Sequence, residues 1–181
     1  MKNAKNLLAA LALAGATLAA PAAFADDISN GPQALAILDN SAYFGDSFAM
    51  NNSGDTFMDH FTFMVIAAHD LDAIVSSISR TAATGLDITG LDLYTSTGTL
   101  VSSGSMVSTG VRDVWTLSAD ALAVGQYYIQ VSGSLVSNTS GSFGGSVMLN
   151  PVPEPETYGM LLAGLGLVGF LARRRKAANQ A

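Results

Sequence analysis

The side chains of this 181-residue chain that could do chemistry are mainly aspartates and two histidines. The segment His69-Asp70-Leu71-Asp72 offers three metal-ligating side chains within four residues, and Asp55 follows a segment rich in Asn. Oxygen-rich loops suit Ca²⁺, whereas Asp and Asn in loops more often form turns. The sequence therefore predicts no cofactor and keeps Ca²⁺ binding at Asp55, His69, Asp70 and Asp72 as a weak alternative.

Catalytic signatures are missing from the central part of the chain, residues 26–150. It contains no GxSxG, HExxH or Ser-x-x-Lys pattern, and these patterns mark three common hydrolytic chemistries. It also contains no cysteine and no lysine, so two common nucleophiles are absent. We therefore predict that the protein is not an enzyme.

The charge of residues 26–150 excludes one class of partner. This segment holds two arginines against twelve aspartates and no glutamate, which gives a net charge of −10. The other six Lys and Arg residues lie near the two termini. Because phosphate contacts need Lys and Arg, we predict no binding to nucleic acid.

Short apolar runs between turn residues predict an all-β fold for the same segment. The alternation is clear where Tyr127, Ile129 and Val131 share one face of a strand. We predict a single antiparallel, jelly-roll-like β-sandwich of about eight strands, with a bulge at Gly90 and an alanine-rich turn at 119–124. The predicted strands are 43–50, 55–67, 72–80, 85–94, 99–107, 111–117, 125–136 and 141–149.

One predicted strand carries a carboxylate on its apolar face. In an extended strand, Phe57, Asp59 and Phe61 point the same way, so Asp59 lies among aromatic rings. An unpaired charge in such surroundings is costly. We predict that Asp59 accepts backbone N–H groups at a bulge or pairs with Arg80 or Arg112, and a ligand-binding role is the alternative.

Aromatic side chains suggest a second alternative function, a surface on which sugar rings stack. Such residues more often belong to the core or to the surface of a sheet. His60 lies on the face opposite the phenylalanines and is predicted to be solvated. The aromatic candidates are Tyr43, Tyr94, Trp115, Tyr127 and Tyr128.

The N-terminus has the three parts of a secretory signal peptide. Two lysines come first, an apolar region follows at 7–20, and Ala23-Phe24-Ala25 is a small-x-small cleavage site. We predict a helical signal peptide at residues 1–25, cleaved between Ala25 and Asp26. No Arg pair precedes the apolar region, so the general secretion machinery is the predicted partner.

The C-terminus also has three parts: Pro-Glu-Pro at 153–155, an apolar stretch at 158–172 and a cationic cluster at 173–176. The apolar stretch gives a helix of roughly 22 Å, shorter than the bilayer core of about 30 Å, so it spans only with local thinning or snorkelling. We predict a linker at 151–157, a transmembrane helix at 158–172 and a cytoplasmic basic tail at 173–181.

This C-terminus resembles the PEP-CTERM sorting signal of Gram-negative bacteria. The resemblance implies processing by an exosortase, a membrane cysteine transpeptidase, in a bacterium that secretes exopolysaccharide. The protein would be exported, anchored transiently at the inner membrane, and end on the cell surface or in the extracellular matrix, where exopolysaccharide is a further candidate partner. Lys176 completes the cationic cluster. The residues that carry the resemblance are Val152, Pro153, Glu154, Pro155, Thr157, Leu161, Leu162, Gly164, Leu165, Arg173, Arg174 and Arg175.

Two shorter resemblances concern the central part. Phe57-Met58-Asp59-His60-Phe61 resembles the signature of the FxDxF family of PEP-CTERM proteins, and Leu91-Asp92-Leu93-Tyr94 with Gly125-Gln126-Tyr127-Tyr128-Ile129 is similar to the prepeptidase C-terminal domain. The latter is a jelly-roll-like accessory module on secreted enzymes, which implies a β-sandwich at 26–150. We predict a non-catalytic, exosortase-sorted surface or matrix protein. The alternative is a carbohydrate- or Ca²⁺-binding module.

Overall fold

The computed structural model describes residues 25–152 and 155–178. The signal peptide predicted at 1–25 therefore lies outside the described residues except for Ala25. Pro153 and Glu154 of the predicted sorting motif and residues 179–181 of the tail also lie outside them.

The described residues form ten strands, arranged in two sheets, and one helix. Sheet A has the order β1-β3-β9-β5-β6, and sheet B has the order β2-β10-β4-β8-β7. The elements are β1 (Gln33–Ala34), β2 (Ser41–Phe48), β3 (Thr56–Val65), β4 (His69–Ile78), β5 (Leu86–Thr95), β6 (Leu100–Ser103), β7 (Ser105–Ser108), β8 (Arg112–Leu122), β9 (Gly125–Leu135), β10 (Gly141–Pro151) and α1 (Pro155–Ala178).

The predicted all-β sandwich is confirmed in outline, and its details change. Eight predicted strands become ten, because one of them is divided and the two-residue strand β1 is added. Strand β1 is too short to leave a periodic pattern in the sequence. It also runs parallel to β3, so the prediction of a wholly antiparallel sandwich was wrong.

The core lies between the two sheets and is rich in phenylalanine. Phe57 and Phe61 alternate with exposed or half-buried residues along β3 and point towards sheet B. There Phe48 packs on Phe57 and Phe44 packs on Phe61, with ring centroids 4.5 and 4.9 Å apart, while Phe143 stacks on Phe57 at 5.5 Å. These separations are favourable for aromatic pairs, so the two phenylalanines of the predicted family signature join the sheets.

The strand predicted at 99–107 divides into β6 and β7, which belong to opposite sheets. Gly104 lies between them, and its N–H donates to the carbonyl oxygen of Leu91 at 2.7 Å. A Cβ at this position would meet the carbonyl oxygens of Leu91 and Thr116. The chain therefore crosses from sheet A to sheet B at a point where only glycine fits without a shift of the backbone.

The predicted turn at 119–124 is wrong, because β8 continues to Leu122. A bulge replaces the turn: the register between β4 and β8 shifts, and Ala121 has a φ of 50°. The carboxylate of Asp70 accepts the N–H of Ala121 at 2.7 Å, which holds the bulge. The bulge predicted at Gly90 is confirmed by a register shift between Ile88 and Gly90.

Candidate functional site

The predicted sorting segment begins where the sandwich ends. Strand β10 ends at Pro151 and α1 begins at Pro155, so Val152 is the only described residue between them. The N–H of Val152 donates to the carbonyl oxygen of Ala68 at 3.2 Å. The segment predicted as a linker at 151–157 is therefore shorter, since strand and helix both extend into it.

Helix α1 begins earlier and ends later than the predicted transmembrane helix at 158–172. Within the described residues, no helix combines the length and the apolar character that crossing a bilayer requires. The transmembrane helix is therefore not borne out, and the segment is described as an α-helix that continues through the cationic cluster at 173–176. The physical reason lies in the sequence, where the apolar stretch is short, contains four glycines and is followed at once by arginines.

Asp59 lies on the core face of β3 and is 1% exposed. Its Oδ1 accepts the backbone N–H of Asn30 at 2.7 Å. Its Oδ2 is buried and has no hydrogen-bond partner among the described residues. The predicted acceptor role is therefore observed, but the donor lies in the N-terminal segment rather than at a bulge or on Arg80 or Arg112.

The surroundings of Asp59 act against its negative charge. Burial raises the pKa of the Asp59 carboxyl above its ordinary value, and the charges of Asp46 and Asp27 add to this rise. The Asn30 N–H and His60 lower the pKa, but they do not reverse the direction of the shift. A buried carboxylate with one donor is incompletely compensated.

The four weak metal candidates are used by the fold and are not brought together. Asp55 accepts the N–H of Asp26 at 2.9 Å, and Asp70 holds the bulge in β8. Asp72 accepts from Ser118 and Asn150, and the buried His69 ring bonds to the carbonyl oxygen of Ala67. Within residues 25–152 and 155–178, no group of three such side chains could hold a metal ion.

A second buried carboxylate, Asp113, was missed by the sequence analysis. It is 1% exposed and accepts the N–H groups of Ile88 and Gly110 and the hydroxyl of Ser77, at 2.9–3.2 Å. Burial raises the pKa of the nearby Asp87, and the charge of Asp113 adds to the shift. The signal available in the sequence was the phase of β8, which places Asp113 on the same face as Leu117.

The aromatic candidates do not form one surface. Tyr43 is exposed on β2 of sheet B, whereas Tyr127 is buried. Trp115 is half-buried on β8, and its Nε1–H donates to the carbonyl oxygen of Ile88 at 3.0 Å. The aromatic set is thus divided between the two sheets and the core.

Tyr94, Tyr128 and His60 do lie side by side on the outer face of sheet A. The Tyr94 and Tyr128 rings stack at 5.2 Å with an interplanar angle of 11°, and His60 is 4.7 Å from Tyr128 on the neighbouring strand. His60 lies on the face opposite the phenylalanines, as predicted, but it is half-buried and bonds to Gln130 at 3.1 Å. The Tyr94 ring therefore stacks on one face of Tyr128, while the His60 ring is tilted against Tyr128 by 41°.

Comparisons with known proteins identify the C-terminal segment. A family model for the PEP-CTERM protein-sorting motif matches residues 151–176. The predicted sorting signal is therefore confirmed, and the chain is an exported protein that carries an exosortase sorting motif. No curated protein matches the chain. The FxDxF resemblance of residues 57–61 stays a prediction.

Two solved structures are similar to this chain. The pre-peptidase C-terminal domain of a collagenase from Bacillus anthracis has 18% identity and a TM-score of 0.37, over 68% of this chain and 98% of that one. PliG from Aeromonas hydrophila, a periplasmic inhibitor of g-type lysozyme, has 15% identity and a TM-score of 0.42, over 68% of this chain and 99% of that one.

Proposed function

We propose that this chain is a non-catalytic protein of the cell surface or extracellular matrix, exported by a signal peptide in a Gram-negative bacterium that secretes exopolysaccharide. An exosortase removes or exchanges the tail at the inner membrane, and the sandwich is the part that remains outside the cell. The observation that carries the proposal is the sorting motif at residues 151–176, which begins at the last residue of β10.

The sandwich itself supports a structural role. Its buried carboxylates, Asp59 and Asp113, accept hydrogen bonds from the protein's own backbone. The four acidic and imidazole candidates are also occupied within the fold. The alternative, a carbohydrate- or Ca²⁺-binding module, has less support, because the aromatic rings on sheet A stack on one another.

The sorting step is tested by replacing Pro153, Glu154 and Pro155 with alanine in the native host. We expect a precursor that keeps its tail, including residues 173–176, because the processing enzyme no longer recognises the segment. Intact-mass spectrometry of the cell-associated protein gives the answer directly. Alanine at Asn179 and Gln180, outside the matched residues, is the control and should leave processing unchanged.

The final location is tested by fractionation of wild-type cells. We expect the processed sandwich on the cell surface or with the exopolysaccharide matrix, and released by treatments that dissolve the matrix. A processed protein found only in the periplasm would contradict the proposed role.

A further inference from the structure

The segment that precedes β2 is bound along strand β3. Thr56 N–H donates to the carbonyl oxygen of Asp26 at 3.0 Å, and Ile28 N–H donates to that of Thr56 at 2.9 Å. Further along, Leu35 N–H donates to the carbonyl oxygen of Thr62 at 2.8 Å. Together with β1, these bonds make residues 26–35 a strap on the outer edge of sheet A.

Side-chain hydrogen bonds also hold the strap on β3. The Asn30 N–H donates to the buried Asp59, and the Met58 N–H donates to the hydroxyl of Ser29 at 2.7 Å. The first bond of the series joins the backbone nitrogen of Asp26 to Oδ1 of Asp55 at 2.9 Å. This nitrogen belongs to the Ala25–Asp26 peptide bond, at which the signal peptide is predicted to be cleaved.

We propose that removal of the signal peptide completes this strap by creating an ion pair. Hydrolysis of the Ala25–Asp26 bond consumes one water, leaves a carboxylate on Ala25 and leaves an amine on Asp26. The α-amino group has an ordinary pKa of about 7.7–8.0, so at neutral pH it is mostly an ammonium. It then faces the Asp55 carboxylate at the position that the neutral N–H occupies in the structure. The inference rests on the proposed export.

The change strengthens a contact that already exists. A charge-assisted hydrogen bond is roughly twice as strong as a neutral one, and an exposed ion pair shifts an equilibrium by about 1.5- to 5-fold. The strap covers Asp59, whose only donor among the described residues is Asn30. Cleavage of the signal peptide therefore stabilises the strap that donates a hydrogen bond to the buried carboxylate of Asp59.

The test compares a charged and a neutral N-terminus on the chain from Asp26 to Ala181. Lys176 is the only lysine after Asp26, so in a Lys176→Arg background the α-amine is the only amine that an acetylating reagent can modify. Acetylation restores a neutral N–H at Asp26. Hydrogen exchange is then measured at the amides of Ile28, Asn30 and Leu35.

We expect exchange at these three amides to be about 1.5- to 5-fold slower with the free ammonium than with the acetylated N-terminus. The difference in exchange rate should vanish in Asp55→Asn. It should persist in Asp70→Asn, a control that removes a carboxylate from β4 of sheet B. Equal exchange rates in the two N-terminal forms overturn the proposal, and this comparison stands even if Asp55→Asn fails to fold.

Cleavage at the Ala25–Asp26 bond is tested separately from exosortase sorting. N-terminal sequencing of the exported protein should give Asp26 as the first residue, whether or not the tail is processed. A different first residue overturns the inference about the ion pair and leaves the proposed exosortase sorting intact.

Discussion

At the scale of single residues, we expect the two buried aspartates to respond differently when each is replaced by the uncharged asparagine. Among the described residues, Asp59 has one donor and an unpartnered oxygen, whereas Asp113 accepts from three groups. A carboxylate is favoured where several donors face it and disfavoured where burial dominates. Three hydrogen bonds therefore offset the cost of burying Asp113, whereas a single one offsets only part of the cost of burying Asp59.

We expect Asp59→Asn to keep the free energy of unfolding within about 0.5 kcal/mol of wild type, or to raise it, at pH 7. Asp59→Ala should lower it by about 1–3 kcal/mol, because the Asn30 N–H loses its acceptor. Asp113→Asn is the matched control and should also lose about 1–3 kcal/mol, since an amide group would face donors. Equilibrium denaturation with urea measures all three, and equal losses for the two Asn variants would contradict the distinction.

The raised pKa of Asp59 also sets a pH dependence. In the folded state the carboxyl binds its proton more tightly than in the unfolded chain, so its contribution to stability falls as the pH rises from the unfolded pKa through the raised folded pKa. The free energy of unfolding of wild type, relative to that of Asp59→Asn, should therefore be higher at pH 4.5 than at pH 7. A difference that does not change with pH would mean that burial of Asp59 does not shift its titration.

At the scale of strands, Gly133 of β9 is closely approached by a ring of β3 and by the backbone of β5. A Cβ at Gly133 would meet the ring of Phe57 and the carbonyl oxygen of Asp87. At Gly144 of β10, by contrast, the nearest atom would be the carbonyl oxygen of Phe44 at 3.9 Å, an ordinary contact.

We expect Gly133→Ala to lower the free energy of unfolding by about 1–3 kcal/mol through overpacking. Gly144→Ala should stay within about 0.5 kcal/mol of wild type. Thermal and chemical denaturation of the two variants decide the matter. If Gly133→Ala is as stable as Gly144→Ala, the Phe57 ring has room to move and the core is less closely packed than described.

Strand-level prediction from the sequence worked where alternation is unbroken and failed where tertiary contacts take over. The two-residue period of β3 and β9 predicted both the strands and the buried position of Asp59. The change of sheet at Gly104 leaves no mark on the apolar pattern, because it depends on the carbonyl oxygens of Leu91 and Thr116. The bulge at Ala121 likewise depends on Asp70 in another strand, so the local sequence suggested a turn.

The partner of Asp59 shows the same limit. The pattern of phenylalanines predicted a buried acceptor, yet the donor is Asn30, 29 residues earlier in the chain. Nothing local to Asn30 indicates that its N–H donates to a side chain of β3. The sorting motif is the reverse case, because its three parts follow one another in sequence and need no fold to be recognised.

At the scale of the whole molecule, the sandwich is closed within its own residues. All strand pairings among the described residues lie between Asp27 and Pro151. We expect residues 26–152 to give a circular dichroism spectrum rich in β-structure and a cooperative unfolding transition. A fragment that ends at Ser140 is the matched control and should lose cooperativity, because it lacks β10. A helical or unfolded spectrum for residues 26–152 would falsify the sandwich as an independent unit.

The position of β10 also imposes an order of events on export. This last strand lies between β2 and β4, so β2, one of the first segments to cross the membrane, has no neighbour in its sheet until residues 141–151 have followed it. Under the proposed export, sheet B is therefore incomplete until residues 141–151 have crossed the membrane. Because the sorting motif begins at the end of β10, the proposed export would bring out the strand that closes the sandwich together with the segment that the exosortase is proposed to recognise.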